Sequence, residues 1–272
     1  MNGRIIVMGS GEVAPALVAT HRAGIERAAA DRVTVLDTPF GFQENVDQLT
    51  AKLVDFFRTS LQIDVEVASL RSPAASTLET EQFLAAIRRS RYVFAGPGSP
   101  SYALRVWRGR GVAEALAEVV GAGGTVTFAS AAALTLGVKT IPVYEIYKVG
   151  EEPHWLDGLG IMARVGLPVT VVPHWNNAEG GNHDTSRCYI GERRLRTLSR
   201  DLDAGILGVD EHSAATIDLG EACVRATGVG GVVLRGDVDT RVESGEQMAL
   251  EAAGALLAVP PGSAEVPPVP PT

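Results

Sequence analysis

The sequence predicts an α/β fold, a doubly wound and mainly parallel sheet with helices on both faces. Two observations carry the prediction. Short β-rich runs alternate along the chain with longer helical patterns, the signature of parallel strands joined by covering helices. Several of the short runs also read as buried strands that end in glycine, serine or histidine, the composition expected where loops leave the carboxyl edge of such a sheet. The chain has 272 residues, within the reach of one α/β domain and long enough to bury a core without disulfides or metal. Residues 1–258 are therefore read as one domain and residues 259–272, rich in proline with glycine and serine, as a disordered tail.

In chain order, the first strand is Arg4-Ile5-Ile6-Val7-Met8, ending in Gly9-Ser10-Gly11 and followed by a helix from about Val13 to Ala30. Val33 to Leu36 forms the second strand and Asp37-Thr38-Pro39 a loop; a helix over Asn45 to Ser60 leads to a third strand near Val65 to Leu70. Thr77 to Arg89 reads as a helix opened by a capping box, with Ser76 as the cap and Glu79 reaching back. The strand Tyr92 to Ala95 ends in Gly96-Pro97-Gly98-Ser99-Pro100, and two helical stretches follow, Ser101 to Arg108 and Val112 to Val120. Gly121 to Gly124 turns the chain into Thr125-Val126-Thr127-Phe128-Ala129, then Ser130 and the helix start Ala131 to Leu136. A further buried strand, Val169 to Val172, runs into Pro173-His174. Ile206 to Leu234 reads as short strands with glycine-rich turns, and Gly245 to Leu257 as a closing helix.

Composition removes several function classes. Lys and Arg number 24 against 32 Asp and Glu, a formal charge of −8, whereas a nucleic-acid surface needs clustered cations. The five arginines between Arg187 and Arg200 are interrupted by Glu192 and flanked by Asp184 and Asp201, which reads as a solvated face. Cys188 and Cys223 are far apart, so neither a disulfide framework nor a zinc knuckle is indicated. With no signal-like start and no apolar run of membrane-spanning length, the expected compartment is the cytoplasm, with no membrane partner. No cofactor or metal is expected, and self-association stays open.

Four strand ends carry groups with chemistry: Gly9-Ser10-Gly11, Gly96-Pro97-Gly98-Ser99, Ser130 and His174. A serine on a sharp strand-to-helix turn presents its Oγ, and the next N–H, that of Ala131, faces an oxyanion. A second donor can come from the Gly96 to Ser99 loop. A hydroxyl needs a base to become a nucleophile, and His174 is the histidine that ends a buried strand. The plainer alternative makes Ser130 a helix N-cap, a position serine favours. Ser99 is a second candidate nucleophile, although Pro100 beside it suits a turn. His174, His183, Asp184, Asp210, Glu211 and His212 lack the spacing of a zinc motif, and Gly9-Ser10-Gly11 without a third glycine is a weak dinucleotide loop.

The stretch Phe94 to Gly137, with Gly96-Pro97-Gly98 followed by Thr127-Phe128-Ala129-Ser130-Ala131-Ala132-Ala133, resembles the serine-peptidase family of dipeptidase E and cyanophycinase. So do Val172-Pro173-His174-Trp175, the run from Gly180-Gly181-Asn182-His183 to Gly191-Glu192-Arg193-Arg194-Leu195, and Gly208-Val209-Asp210-Glu211-His212-Ser213-Ala214. The resemblance covers most of Ile5 to Leu234. It implies the class I glutamine amidotransferase-like fold, a three-layer flavodoxin-like arrangement. It also implies Ser130 as nucleophile, His174 as general base, Glu145 as the acid of the triad, and Gly98 and Ala131 as oxyanion donors. Asp210-Glu211 would then be a structural or pocket-edge element. Phe128 and Ala132 stand where the family has glycine, and Ser99 follows Gly98 where dipeptidases have asparagine.

The resulting expectation is a serine hydrolase of amide bonds acting on a small peptide or isopeptide, with an aspartyl preference that comes only from the resemblance. Ser99 and Arg187 are expected near the substrate, and Arg187, Arg193 or Arg194 could pair with a substrate carboxylate. Phe128 and Ala132 favour the rival reading, a catalytically silent binding or regulatory protein of the same fold. An unrelated α/β-hydrolase esterase would also fit the order serine, acid, histidine, but the chain lacks Gly-x-Ser-x-Gly.

Overall fold

A computed structural model describes residues 2–261; most of the expected disordered tail lies outside the described residues. The chain opens with β1 (Arg4–Met8), α1 (Pro15–Arg27), β2 (Arg32–Leu36), α2 (Val46–Ser60), β3 (Asp64–Ala68), α3 (Thr77–Arg88) and β4 (Tyr92–Ala95). There follow α4 (Pro100–Trp107), α5 (Val112–Gly121), β5 (Thr125–Ala129) and α6 (Ala131–Thr135). The segment after α6 holds the short pair β6 (Lys139–Thr140) and β7 (Leu156–Asp157), a π-helical turn at Glu145–Val149, and α7 (Ile161–Arg164). The last third contains β8 (Thr170–Val172), α8 (Glu192–Ser199), β9 (Ile206–Val209), β10 (Ser213–Asp218), β11 (Cys223–Gly228), β12 (Gly231–Arg235), β13 (Asp239–Glu243), β14 (Gln247–Ala249) and α9 (Leu250–Leu257).

The strands form a large sheet in the order β14-β11-β10-β1-β5-β4-β2-β3. The pairings from β1 to β3 are parallel, and β10, β11 and β14 extend the β1 edge antiparallel. Alternation within the central strands supplies two cores. Ile5 and Val7 of β1, Val93 and Ala95 of β4, and Val126 and Phe128 of β5 face one side, against Phe83, Trp107 and Leu116 from α3, α4 and α5. Ile6, Met8, Tyr92, Phe94 and Ala129 face the other, against Leu17, Phe56 and Phe57 from α1 and α2. The mixed α/β class with a mainly parallel sheet and helices on both faces is the one the sequence predicts.

Local rules account for the boundaries. Ser76 accepts from the Glu79 N–H at 3.2 Å while the Glu79 carboxylate accepts the Ser76 N–H at 2.7 Å, the capping box expected for α3. Pro15 places the start of α1 two residues later than Val13, because proline at the first helical position has no N–H to leave unpaired. Two features differ from the sequence reading. The region expected as one closing helix begins as β14, whose Gln247–Ala249 pairs with Cys223–Arg225 at the sheet edge. The strand before His174 does not join the main sheet but a second one, β13-β12-β9-β8, in which β8 and β9 run parallel. Leu207, Val209, Val232 and Leu234 of that sheet share the core of Ile5, Val7 and Val126. Two parallel carboxyl edges, β8/β9 and β1/β5/β4, thus bring loops to one place.

Candidate active site

Ser130 follows β5 directly and its N–H donates to the Met8 carbonyl at 3.1 Å, so the parallel β1/β5 pairing fixes the turn. Its backbone sits at φ 52° and ψ −120°, outside the regions that L-residues occupy readily. Such conformations cost about 1–3 kcal/mol and persist where surrounding structure imposes them. Although Ser130 precedes α6, its side chain makes no capping bond. The hydroxyl turns instead to His174, with Oγ 2.8 Å from Nε2.

His174 follows β8 through Pro173 and is itself at φ 48°. Its Nδ1 is 2.9 Å from Oε1 of Glu211, and the same oxygen accepts from Asn177 Nδ2 at 2.8 Å. Burial would raise the Glu211 carboxyl, but the bonds from His174 and Asn177 and the charge of His174 and His212 outweigh it and hold it below the usual range. An ionised Glu211 accepts only, so the Nδ1 facing it carries a proton, and in the neutral imidazole it is Nε2 whose lone pair faces the Ser130 hydroxyl. Glu211 is placed by the link between β9 and β10: its N–H donates to Asn176 Oδ1 at 2.8 Å, and the next N–H, of His212, to Ser10 Oγ at 3.1 Å.

Glu145 does not meet His174. It lies in the π-helical turn and accepts from Ser101 Oγ at 2.8 Å, so the acid beside the imidazole is Glu211 and the expected placement of Glu145 in a triad is corrected. Asp210-Glu211, expected to be a structural or pocket-edge element, divides between two roles. Asp210 is buried and structural, accepting from the Gly231 N–H at 2.9 Å and from Arg241; Glu211 faces the imidazole. Ser99 is the N-cap of α4, its Oγ accepting from the Tyr102 N–H at 3.1 Å and its N–H donating to Pro39 O at 2.7 Å. Gly98 adopts φ 142°, and a Cβ there would lie 2.0 Å from the Pro39 carbonyl oxygen, so glycine is required.

Gly98, Ser130, Ala131 and His174 open onto a cavity of about 300 Å³ whose walls include Leu134, Val143, Tyr144, Tyr147 and Tyr189. Phe128 is not in it. Its ring lies under the sheet, 5.8 Å from that of Trp107, and Ala132 is fully buried in the same core. Neither departure from glycine obstructs the serine. A larger hollow of about 640 Å³ between α1 and α2 carries no nucleophile or imidazole. Among the described residues no three His, Cys, Asp or Glu side chains cluster to hold a metal ion, and no helix is long and apolar enough to cross a membrane.

Arg187 does not reach the cavity. Its Nε donates to Glu192 at 2.6 Å, its Nη1 to Trp175 O at 2.7 Å, and its guanidinium lies 4.2 Å from the Trp175 ring centroid. Arg235 covers the same indole at 4.6 Å and also bonds Glu192. The Trp175 ring packs so closely on Gly208 that a Cβ there would lie 2.4 Å from it. This cluster anchors the residue next to His174. Burial would raise the Glu192 carboxyl, but hydrogen bonds from Arg196, Arg235 and Arg187 overcome it and bring it down to about 2 from an ordinary 4.5. Because the folded value is the lower one, this stabilisation is complete above pH 4.5 and is lost as pH falls towards 2. Glu192→Ala is expected to cost about 2 kcal/mol near neutrality, short of a fully buried pair because the carboxylate stays partly hydrated. Urea melts near pH 7 and near pH 3 check this: the difference between Glu192→Gln and the parent should shrink at the lower pH.

No protein-family model matches the chain, and no curated protein matches it. Solved structures do. A peptidase from an acI-B1 Actinobacterium superposes with a TM-score of 0.74 at 19% identity, over 92% of this chain and 97% of that one. A protein provisionally assigned as a peptidase E from Listeria monocytogenes EGD-e superposes with a TM-score of 0.59 at 16% identity, over 84% of this chain and 100% of that one. At these identities the likeness establishes that this chain has their α/β fold.

Proposed function

We propose that the protein is a serine hydrolase of amide bonds in small peptides, with Ser130 as nucleophile, His174 as general base and acid, and Glu211 as the residue that orients and charges the imidazole. One observation carries the reading: a serine on a strained strand-to-helix turn lies 2.8 Å from an imidazole nitrogen whose other nitrogen lies 2.9 Å from a carboxylate. The two structural neighbours, both described as peptidases, support it.

In this mechanism Ser130 Oγ attacks the amide carbonyl carbon as His174 Nε2 takes its proton. The carbonyl oxygen, now negative, is met by the N–H groups of Ala131 and Gly98. His174 returns the proton to the leaving amine, an acyl-serine remains, and water enters by the same route to release the acid. Glu211 stays ionised and stabilises the imidazolium in both halves. The substitutions that favour a silent relative, Phe128 and Ala132, lie in the core and out of the cavity.

The cavity is at the small end of ligand sites, which suits di- and tripeptides rather than folded chains. The test is incubation with a mixed di- and tripeptide pool beside casein, read by mass spectrometry. Cleavage of short peptides with casein left intact is expected. A folded protein that cleaves nothing would point to a binding role instead.

A further inference from the structure

We infer that the acyl subsite takes an uncharged aromatic or large aliphatic side chain rather than a carboxylate, a substrate class that rests on the amide-hydrolase reading above. The cavity that opens on Ser130 is walled by Leu134, Val143, Tyr144, Tyr147 and Tyr189. The rings of Tyr147 and Tyr189 lie 5.5 Å apart, and that of Tyr189 lies 5.3 Å from the imidazole of His174. Lys148 and Glu179 also line the cavity, but most of what an acyl-serine side chain meets there is ring face and aliphatic carbon, where an apolar group gains and a charge loses hydration.

The backbone holds Tyr189 there against its own preference. Arg187, Cys188 and Tyr189 have φ of 57°, 58° and 68°, three successive side-chain-bearing residues in the left-handed region. The turn is tied to the histidine loop: the Arg187 N–H donates to Trp175 O at 3.0 Å and the Cys188 N–H to His174 O at 3.2 Å. Strain of this kind persists where the surroundings impose it, and here it sets an aromatic wall beside the base.

The charges at the rim favour neither ion. Lys148 and Glu179, one charge of each sign, both line the cavity, and each is already engaged by a wall tyrosine: Lys148 lies 4.5 Å from the Tyr147 ring centroid and Glu179 accepts from the Tyr189 hydroxyl at 3.4 Å. Glu179, exposed at the rim, and Glu211, ionised behind His174, oppose an incoming carboxylate. The arginine that could have paired with one, Arg187, is held by Glu192 and Trp175 O.

The test compares kcat/KM for the aminomethylcoumarin amides of phenylalanine, leucine, aspartate and arginine. Phenylalanine and leucine should exceed both charged residues by about thirty-fold or more, the ratio expected from burying one large apolar side chain. Tyr147→Ala should reduce the phenylalanine-to-aspartate ratio about ten-fold, chiefly through KM. Aspartate or arginine turned over as fast as phenylalanine would overturn the inference while leaving the hydrolase intact. If the folded protein hydrolyses none of the four, calorimetry on Ser130→Ala with phenylalaninamide and aspartic acid amide still reads the subsite. Tighter binding of the first supports the inference, and equal or weaker binding refutes it.

Discussion

Ser130→Ala is expected to lower turnover by about 10⁵- to 10⁶-fold, the loss seen when the nucleophile of a serine–histidine unit is removed, with little change in stability. The two halves of this prediction separate roles that a sequence leaves entangled. Were Ser130 a helix cap, alanine would cost about 1 kcal/mol of stability; but its side chain caps nothing and its Oγ faces His174. Ser130→Gly should be equally inactive and more stable than the parent. At φ 52° and ψ −120° glycine relieves strain of about 1–3 kcal/mol and gives back part of it through the greater freedom of its unfolded chain. A net gain of about 1 kcal/mol corresponds to a rise of about 2 °C in Tm for a chain of this size. Thermal melts of the parent and both variants, with rates on a short peptide amide, measure all of this together.

Glu211→Gln is the second large effect, an expected loss of about 10³- to 10⁴-fold in kcat with KM nearly unchanged. The amide keeps the shape of the carboxylate but neither charges the imidazole nor reliably selects the tautomer with Nδ1–H. Glu145→Gln is the control. Glu145 is half-buried and bonds Ser101 rather than His174, and the variant, whose amide oxygen can still accept from that hydroxyl, should keep kcat within about three-fold of the parent. A reversed pattern, with Glu145→Gln inactive and Glu211→Gln active, would remove Glu211 from the mechanism.

The contrast between these two glutamates shows where the sequence was legible. The rule that ligands gather at the carboxyl ends of parallel strands finds Ser130, Gly98 and His174, because each ends a run of buried residues recognisable by pattern alone: Thr125–Ala129, Tyr92–Ala95 and Thr170–Val172. Glu211 obeys the same rule at the end of Ile206–Val209. That strand, however, falls among short strands and glycine-rich turns, where nothing local tells a parallel strand from a meander. Its parallel pairing with β8 is a long-range fact, and with it goes the knowledge that Glu211 and His174 leave adjacent strands side by side. The acid in the π-helical turn after α6 was the nearer candidate in sequence and the farther one in contacts.

Arg187 shows a second kind of limit. A string of arginines reads either as a solvated face or as a carboxylate-binding set, and the outcome for Arg187 is neither. It stacks on Trp175 and bonds Glu192, with Arg235 on the same ring. Arg235 is 43 residues beyond Glu192, and their partnership depends on β12 lying beside β9. Phe128 is the converse. Its position two residues before Ser130 suggests a side chain beside the nucleophile, yet it belongs to the face of β5 that packs on Trp107. Only the direction of the turn at Ser130, set by its positive φ, sends the serine hydroxyl toward His174 instead.

The central claim is that Ser130 is activated by His174, and fluorophosphonate labelling with peptide mapping tests it most directly. The account predicts one adduct, on Ser130, absent in Ser130→Ala and at least about 10³-fold slower to form in His174→Ala. A folded native protein that takes no label from a probe as small as diisopropyl fluorophosphate, or takes it on a serine other than Ser130, would contradict it.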